Sequence, residues 1–396
     1  MQVGNSLPQQ TPAALGPILI PALHLSRAEL GLLTSAIWGG MLLGMLPAGL
    51  LVDRYGERLV IGIGGVLLAG FMFLATLAGS FTPLFLLFLP AALAAASGSP
   101  GGASAVASWF DDRRRGLALG IRQTGVTGAG VVAALALPPI ALNWGWRAAF
   151  QAVAVAVLIS TLAFVLFFPE PPRRHLATAA FRVRSLLRDR TFLMATAFAW
   201  MFMGAFGAAV TYLAAALHQD QHVTIGVAAS LLAVMQVGGL LGRIGWGALS
   251  DRLASRGRVM AICSGLAMVA GSGMAMASFR PLPLLVLAPL AFLLGLSTMG
   301  WNALYITLAS EVNPRRAATV VGAGSTVTFT GLFAVTPCFG LIADATHTYL
   351  VAWIAFVVWA GVATIVALAI ADRTNGGKAL HSSPPTERRS LTETRR

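Results

Sequence analysis

Charge is almost absent from this sequence except at regular intervals. Of its 396 residues, 57% are hydrophobic and 10% charged, against about a quarter charged in soluble domains. The apolar stretches between the charges reach the roughly 20 residues that a helix needs to cross a bilayer. Lipid offers no partner to an unpaired backbone N–H or C=O, so stretches of that length must become helices. Segmentation on this basis predicts twelve spans, near 6–25, 29–52, 59–79, 82–109, 116–142, 146–168, 191–217, 223–249, 258–279, 282–309, 317–341 and 348–371. The expected class is an all-α membrane protein. The first span opens on Asn5, Ser6, Gln9, Gln10 and Thr11 with no basic residue before Arg27. It reads as a shortened first helix and not as a cleaved signal peptide, which needs a positive start and a small-residue cleavage site.

Residues 170–190 follow Pro169 in the run PEPPRRH and carry Arg182, Arg184, Arg188 and Arg190; proline and charge together read as a linker. It divides 1–169 from 191–371. The polar stretch 372–396 reads as a disordered tail. The two parts repeat each other: Gly49, Asp53 and Arg54 recur 198 positions later as Gly247, Asp251 and Arg252. Each copy closes one apolar segment and opens the next. Of the 27 basic residues, 22 fall in the turns after segments two, four, eight and ten, in the linker and in the tail; Arg27, Arg147 and Arg280 fall on the opposite side, and Arg122 and Arg243 inside helices. Arg and Lys are retained on the cytoplasmic side, so both termini and both Asp-Arg turns are predicted to be cytoplasmic. The net charge of +13 therefore reads as membrane topology, with no nucleic-acid partner. Cys263 and Cys338 lie in separate apolar stretches and read as small hydrophobes.

Twelve helices in two halves, a basic central linker and a Gly-x-Leu-x-Asp-Arg-x-Gly turn resemble the major facilitator superfamily of secondary transporters. The first turn matches the family's signature at Gly49, Leu51, Asp53, Arg54, Gly56 and Arg58, and departs from it at Glu57, where a basic residue is usual. The second keeps Gly247, Leu249, Asp251 and Arg252, then inserts three residues before Gly257. The stretches 108–125 (SWFDDRRRGLALGIRQTG), 143–150 (NWGWRAAF) and 311–316 are most similar to bacterial porters of small anions, the nitrate, cyanate and monocarboxylate group. The resemblance implies two pseudo-symmetric six-helix bundles in a bacterial inner membrane, a monomer, a small-molecule substrate and no cofactor. It also implies a conformational latch at the turns. An Asp at a helix end can accept hydrogen bonds from a neighbouring helix start and pair with Arg; by analogy Asp53 meets Arg115 or a helix end, and Asp251 meets Arg243 or Arg316. The plainer reading of the same residues is solvated positive-inside charge.

Transporters of this architecture hold substrate near the bilayer midplane between the halves, and the resemblance assigns the lining to helices 1, 4, 7 and 10. The candidates there are Trp301, Asn302 and Tyr305 with Thr298, the run Ser97–Gly102 including Ser99, Trp200, Thr211 and Tyr212, and Gln9 and Gln10. Arg122, about two turns into helix 5, is a candidate for an anionic substrate because an embedded cation is costly unless paired or facing water; snorkelling over its ~9 Å depth is the competing reading. Gln123 beside it is a candidate hydrogen-bond partner. None of the 14 acidic residues or six His falls in mid-helix, which speaks against an embedded proton relay and against a drug exporter with an acidic cavity. Helix 2 lacks the Arg that nitrate porters pair with one in helix 8. Gly62, Gly64 and Gly65 lie inside a span, and no Walker sequence, metal-ligand spacing or Ser-His-Asp set occurs, so no enzyme is expected. The leading expectation is a transporter of a small organic, carboxylate-like solute by alternating access; the alternatives are efflux of amphipathic compounds and a non-transporting sensor on the same fold. Asp53→Asn is expected to lower transport while membrane insertion, measured by expression in the membrane fraction, stays normal; unchanged flux would remove the latch.

Overall fold

The structure, a computed structural model, describes residues 1–98, 101–102, 112–168, 189–253, 255–312 and 317–382. The first half contains α1 (Gln2–Ala22), α2 (Arg27–Tyr55), α3 (Glu57–Leu74), α4 (Phe81–Ala95), α5 (Asp112–Trp144) and α6 (Trp146–Phe167). The second contains α7 (Arg190–Asp220), α8 (Ile225–Leu253), α9 (Arg256–Phe279), α10 (Leu284–Gly300), α11 (Asn302–Val312), α12 (Ala317–Thr346) and α13 (Leu350–Ser382). Among the described residues there is no strand. Ten stretches are long and apolar enough to cross a membrane, with α10 and α11 together making one of them. The predicted linker lies mostly outside the described residues, and α13 runs on to Ser382, past the predicted start of the tail at Asp372.

Helix boundaries follow local chemistry. Ser26 and Glu29 form a reciprocal capping box at the start of α2, which satisfies donors that a helix start leaves orphaned. At the other end of α2, Gly56 takes φ 89° and ψ 161°, a conformation that favours glycine, and α3 begins at the next residue. This is the glycine of the first Asp-Arg turn. In the second turn the three inserted residues remove that need: Ser255 precedes α9 with φ −145°, and Gly257 serves packing, since a Cβ there would sit 2.4 Å from the Ala371 backbone nitrogen.

The first helix differs from its sequence reading. It starts at Gln2, and the polar residues Ser6, Gln9, Gln10 and Thr11 are all buried within it. It holds Pro8, Pro12, Pro17 and Pro21 and is enclosed by protein, packing on α2, α5 and α6 of its own half and on α7 of the other. A helix shielded from lipid can carry polar groups and interrupted backbone bonds that a lipid-facing one cannot. Within the halves the main pairs are α2 with α4, α3 with α6, α7 with α12, and α9 with α13; between the halves they are α2 with α12, α5 with α8, and α1 with α7.

Helices α8 and α10 meet backbone to backbone. A Cβ on Gly295 would lie 1.8 Å from the Met235 carbonyl oxygen; one on Gly238 would lie 2.2 Å from that of Phe292, and one on Gly242 2.4 Å from that of Leu296. Small residues at such a crossing supply the van der Waals contact that replaces hydrophobic driving force in lipid. Gly265 on α9 has open space around it. Gly295→Ala is expected to cost roughly 1–3 kcal/mol by overpacking, whereas Gly265→Ala stabilises its helix by up to about 1 kcal/mol. Thermal unfolding of the two purified variants should therefore move in opposite directions.

Candidate functional site

Between the halves lies a cavity of about 130 Å³. Helix α1 contributes Gln2, Asn5 and Gln9, which share one face by their spacing of three and four residues. From α5 comes Gln123, from α8 Arg243, and from the tenth span Thr298 and Asn302. The remaining wall is apolar and rich in aromatic and thioether groups: Trp38, Met203, Phe206, Trp301 and Phe329 are among its members. Trp38 stacks on Phe329 with centroids 5.8 Å apart and meets Phe206 edge-on at 6.1 Å. The chamber thus combines amides and a guanidinium with flat hydrophobic surfaces.

Arg243 is the only charged residue lining this cavity among the described residues. Its Nε is buried with no hydrogen-bond partner, and the described ion pair nearest in kind, Arg256 with Glu311 at 2.6 Å, lies elsewhere. Arg243 stands ten residues before the end of α8, about 15 Å into the helix. Its direction is set by its neighbours: Gly238 and Gly242 press α8 against α10, which turns the next face of α8 toward the other half. Two turns earlier on that face, Gln236 Nε2 donates to Gln10 Oε1 across the halves at 3.1 Å and packs over Gly130 of α5. An embedded cation without a counter-charge is expensive, so this cavity favours an anion.

The tenth span is locally irregular at Trp301, where it borders the cavity, although this residue keeps helical dihedrals (φ −61°, ψ −23°). Helix α10 ends at Gly300 and α11 begins at Asn302. The indole of Trp246 fills the space beside Gly300 and donates to the Leu296 carbonyl at 2.8 Å; Trp301 Nε1 donates to the Thr298 carbonyl at 2.9 Å. Indole donors thus take up carbonyls near this turn. Irregular turns at membrane depth are tolerated where protein or a water-filled chamber covers them.

The residues singled out from the sequence separate into groups. Gln123, Trp301 and Asn302 line the cavity. Arg122, one position from Gln123, does not: its Nη2 donates to the Gly98 carbonyl at 2.7 Å, and its guanidinium lies against Gly102. Tyr305 is buried against Gly324 of α12, because the spacing of four from Trp301 carries it past the cavity edge. Trp200 donates to Thr330 Oγ1 at 3.0 Å and packs beside Trp359. Tyr212 lies at the opposite end of the bundle, with its hydroxyl 2.8 Å from the Arg27 carbonyl. Ser99 lies outside the described residues, as do the side chains of Arg115 and Asp251.

At the Asp-Arg turns, Asp53, Arg54 and Arg58 are exposed, and Gly49 and Gly247 half-buried. Arg54 stacks over the Tyr55 ring at 5.2 Å, and Arg252 is exposed. Among the described residues no hydrogen bond crosses between the halves at this end. Sequence reasoning grouped Arg243 with the turn because only four residues separate it from Gly247. Its spacing of seven from Gln236, one helix face, was the available signal for the cavity. Arg122→Ala is expected to cost roughly 1–3 kcal/mol by orphaning the Gly98 carbonyl, while Gln123→Ala stays within about 0.5 kcal/mol. Unfolding midpoints of the purified variants check the contrast.

A model of the Major Facilitator Superfamily matches residues 3–336. An uncharacterized MFS-type transporter of Mycobacterium tuberculosis (strain H37Rv) is 30% identical over 246 residues, 61% of this chain and 55% of that protein; the chain thus spans about half the length of this relative. A 4-hydroxybenzoate transporter of Pseudomonas putida is 25% identical over 288 residues, 61% of this chain and 62% of the relative. In three dimensions the chain is similar to a bacterial homolog of the human lysosomal transporter Spinster in an inward-facing and occupied conformation, with TM-score 0.76, 19% identity, and coverage of 93% of this chain and 94% of that one.

Proposed function

The chain belongs to the major facilitator superfamily, and from that premise we propose that it is a secondary active transporter moving a small organic anion by alternating access. It works as a monomer in a bacterial inner membrane, with both termini and both Asp-Arg turns on the cytoplasmic side. The observation that carries the substrate class is Arg243, a cation on the cavity wall with no carboxylate or histidine beside it among the lining residues. The carboxylate of the cargo supplies the missing counter-charge. Gln9, Gln123 and Asn302 offer amide donors around it, and the Trp38–Phe206–Phe329 cluster takes the apolar body. 4-Hydroxybenzoate, for which the Pseudomonas relative is named, is a ring bearing a carboxylate and is consistent with a chamber that combines a guanidinium with aromatic walls.

The same electrostatics supports the cycle. Closing the cavity around a bare guanidinium desolvates an unpaired charge at a cost of several kcal/mol; with an anion aboard, the charge is neutralised and closure becomes easy. A ligand shifts a conformational equilibrium only by its differential affinity for the two states, and charge pairing inside a closing chamber supplies that difference. Efflux of amphipathic compounds is the second reading, favoured by the methionine and aromatic wall contributed by α2 and α7.

The test is uptake of labelled monocarboxylates, including an aromatic one, into vesicles carrying the purified protein. Arg243→Gln is expected to reduce anion uptake at least thirtyfold, on the order of the loss of a charge-assisted hydrogen bond, and Arg243→Lys should retain an intermediate rate. Anion uptake indifferent to Arg243→Gln would overturn the assignment, and dye efflux indifferent to it would favour the second reading.

A further inference from the structure

Helix α2 is held at its start by the opposite half of the molecule. Its first N–H groups have no partner within the helix. The capping box satisfies the Glu29 N–H through Ser26 Oγ at 3.1 Å. Two further donors are satisfied by Asp344, in the last turn of α12: the Arg27 N–H meets one carboxylate oxygen at 2.9 Å and the Ala28 N–H the other at 2.8 Å. A carboxylate at a helix start is favoured by both hydrogen bonding and the helix dipole. The Arg27 side chain then reaches in the opposite sense. Its guanidinium donates to Gln219 Oε1 at 3.1 and 2.9 Å and to the Ala343 carbonyl at 2.7 Å, and lies over the Tyr349 ring at 4.8 Å. Burial pushes the Tyr349 phenol above its ordinary value, so that ring stays neutral beneath the cation.

Tyr212 closes the inner edge of this knot. Its hydroxyl is 2.8 Å from the Arg27 carbonyl and 3.1 Å from the Thr336 carbonyl, so its single proton bonds one or the other. Two glycines make the approach possible: a Cβ on Gly340 would meet the Arg27 carbonyl oxygen at 2.6 Å, and one on Gly31 would meet that of Thr336 at 3.0 Å. With the exception of Gln10 and Gln236, every hydrogen bond between the halves among the described residues belongs to this cluster. At the other end of the same helix, Asp53 is exposed and makes no hydrogen bond among the described residues.

We propose that Asp344 is a conformational latch that seals the two halves at the Arg27 end and must release α2 in each transport cycle, with Tyr212 as its second catch. The proposal rests on the alternating-access reading above but not on the identity of the cargo. Helix α2 then carries a latch at each end: the start is gripped by Asp344 while the Asp53 turn is disengaged, and the opposite state exchanges the two. The hydrogen-bonding groups involved can each exchange their partner for water when the end opens.

The experiment uses the full-length, substrate-free protein in lipid nanodiscs, in a Cys338→Ser background that leaves only the buried Cys263. Spin labels at Ala22→Cys and Ala345→Cys, both exposed positions flanking the knot, report the separation of the halves by double electron–electron resonance. Asp344→Ala is expected to raise the open-to-closed ratio at this end at least about tenfold, and Tyr212→Phe by about two- to fivefold. Size-exclusion behaviour and helix content confirm that each variant is folded. If folded Asp344→Ala gives the parental distance distribution, the latch is refuted. Should Asp344→Ala not fold, Tyr212→Phe, which deletes one oxygen atom, decides by the same distances. Because no substrate is present, a wrong cargo assignment leaves these distances unaffected, and a failed latch leaves the Arg243 uptake result standing.

Discussion

Every backbone N–H and C=O of this chain that lies in lipid must find its partner inside the protein, and that constraint accounts for most of what the helices look like. Lipid-facing stretches run as long apolar helices. The departures occur where protein covers the backbone: the four prolines of α1 in a helix wrapped by both halves, and the irregular turn of the tenth span at Trp301, where two indoles take up nearby carbonyls. Because polar side chains are tolerated only in the same shielded places, the constraint also concentrates amides and the guanidinium on the surfaces between the halves. The cavity is the consequence. It lies where the helices no longer have to satisfy lipid.

Close packing of α8 on α10 then decides which polar group faces the chamber. Gly238 and Gly242 admit the α10 backbone, and the rotation this imposes directs Gln236 and Arg243 toward the first half. Gln236 finds an amide there, Gln10. Among the described residues, Arg243 finds none of the carboxylates that ordinarily accompany a buried arginine. A single charge among neutral amides, methionines and aromatic rings is what supports the proposed cargo, one negative group with an apolar remainder.

How much of this could be read from the sequence depends on the range of the interaction. The apolar periods, the glycine turn at Gly56 and the division into halves are local patterns, and the helices fall close to the predicted spans except for the fourth, where α4 ends at Ala95. The start of α1 was harder: Asn5, Ser6, Gln9 and Gln10 look like a helix beginning until their enclosure by five other helices is known. Depth along a helix was legible for Arg122 and Arg243, but direction was not. Arg122 is engaged by the carbonyl of Gly98, and Arg243, grouped by sequence with the Asp-Arg turn, faces the cavity. The contacts that join the halves were beyond reach. Gln10 with Gln236 and Arg27 with Asp344 are separated by 226 and 317 positions, and no periodicity encodes such pairs.

The chemistry of the seal suits a machine that must open again. Moving a two-state equilibrium from one side to the other takes only about 5.5 kcal/mol of differential binding, so neither end can be held by much more than that. A purely apolar seal at the Arg27 end would gain from excluding water and lose heavily on opening. A seal of capped N–H groups, carbonyls and a guanidinium exchanges its partners for water at a small net cost, since most of the energy of each hydrogen bond is returned by solvent. Glycines at 31 and 340 add contact without adding apolar area to be exposed. In the proposed cycle, the strength of closure comes from geometry that brings many weak, replaceable bonds together, and the switch between states from a helix whose two ends compete for partners.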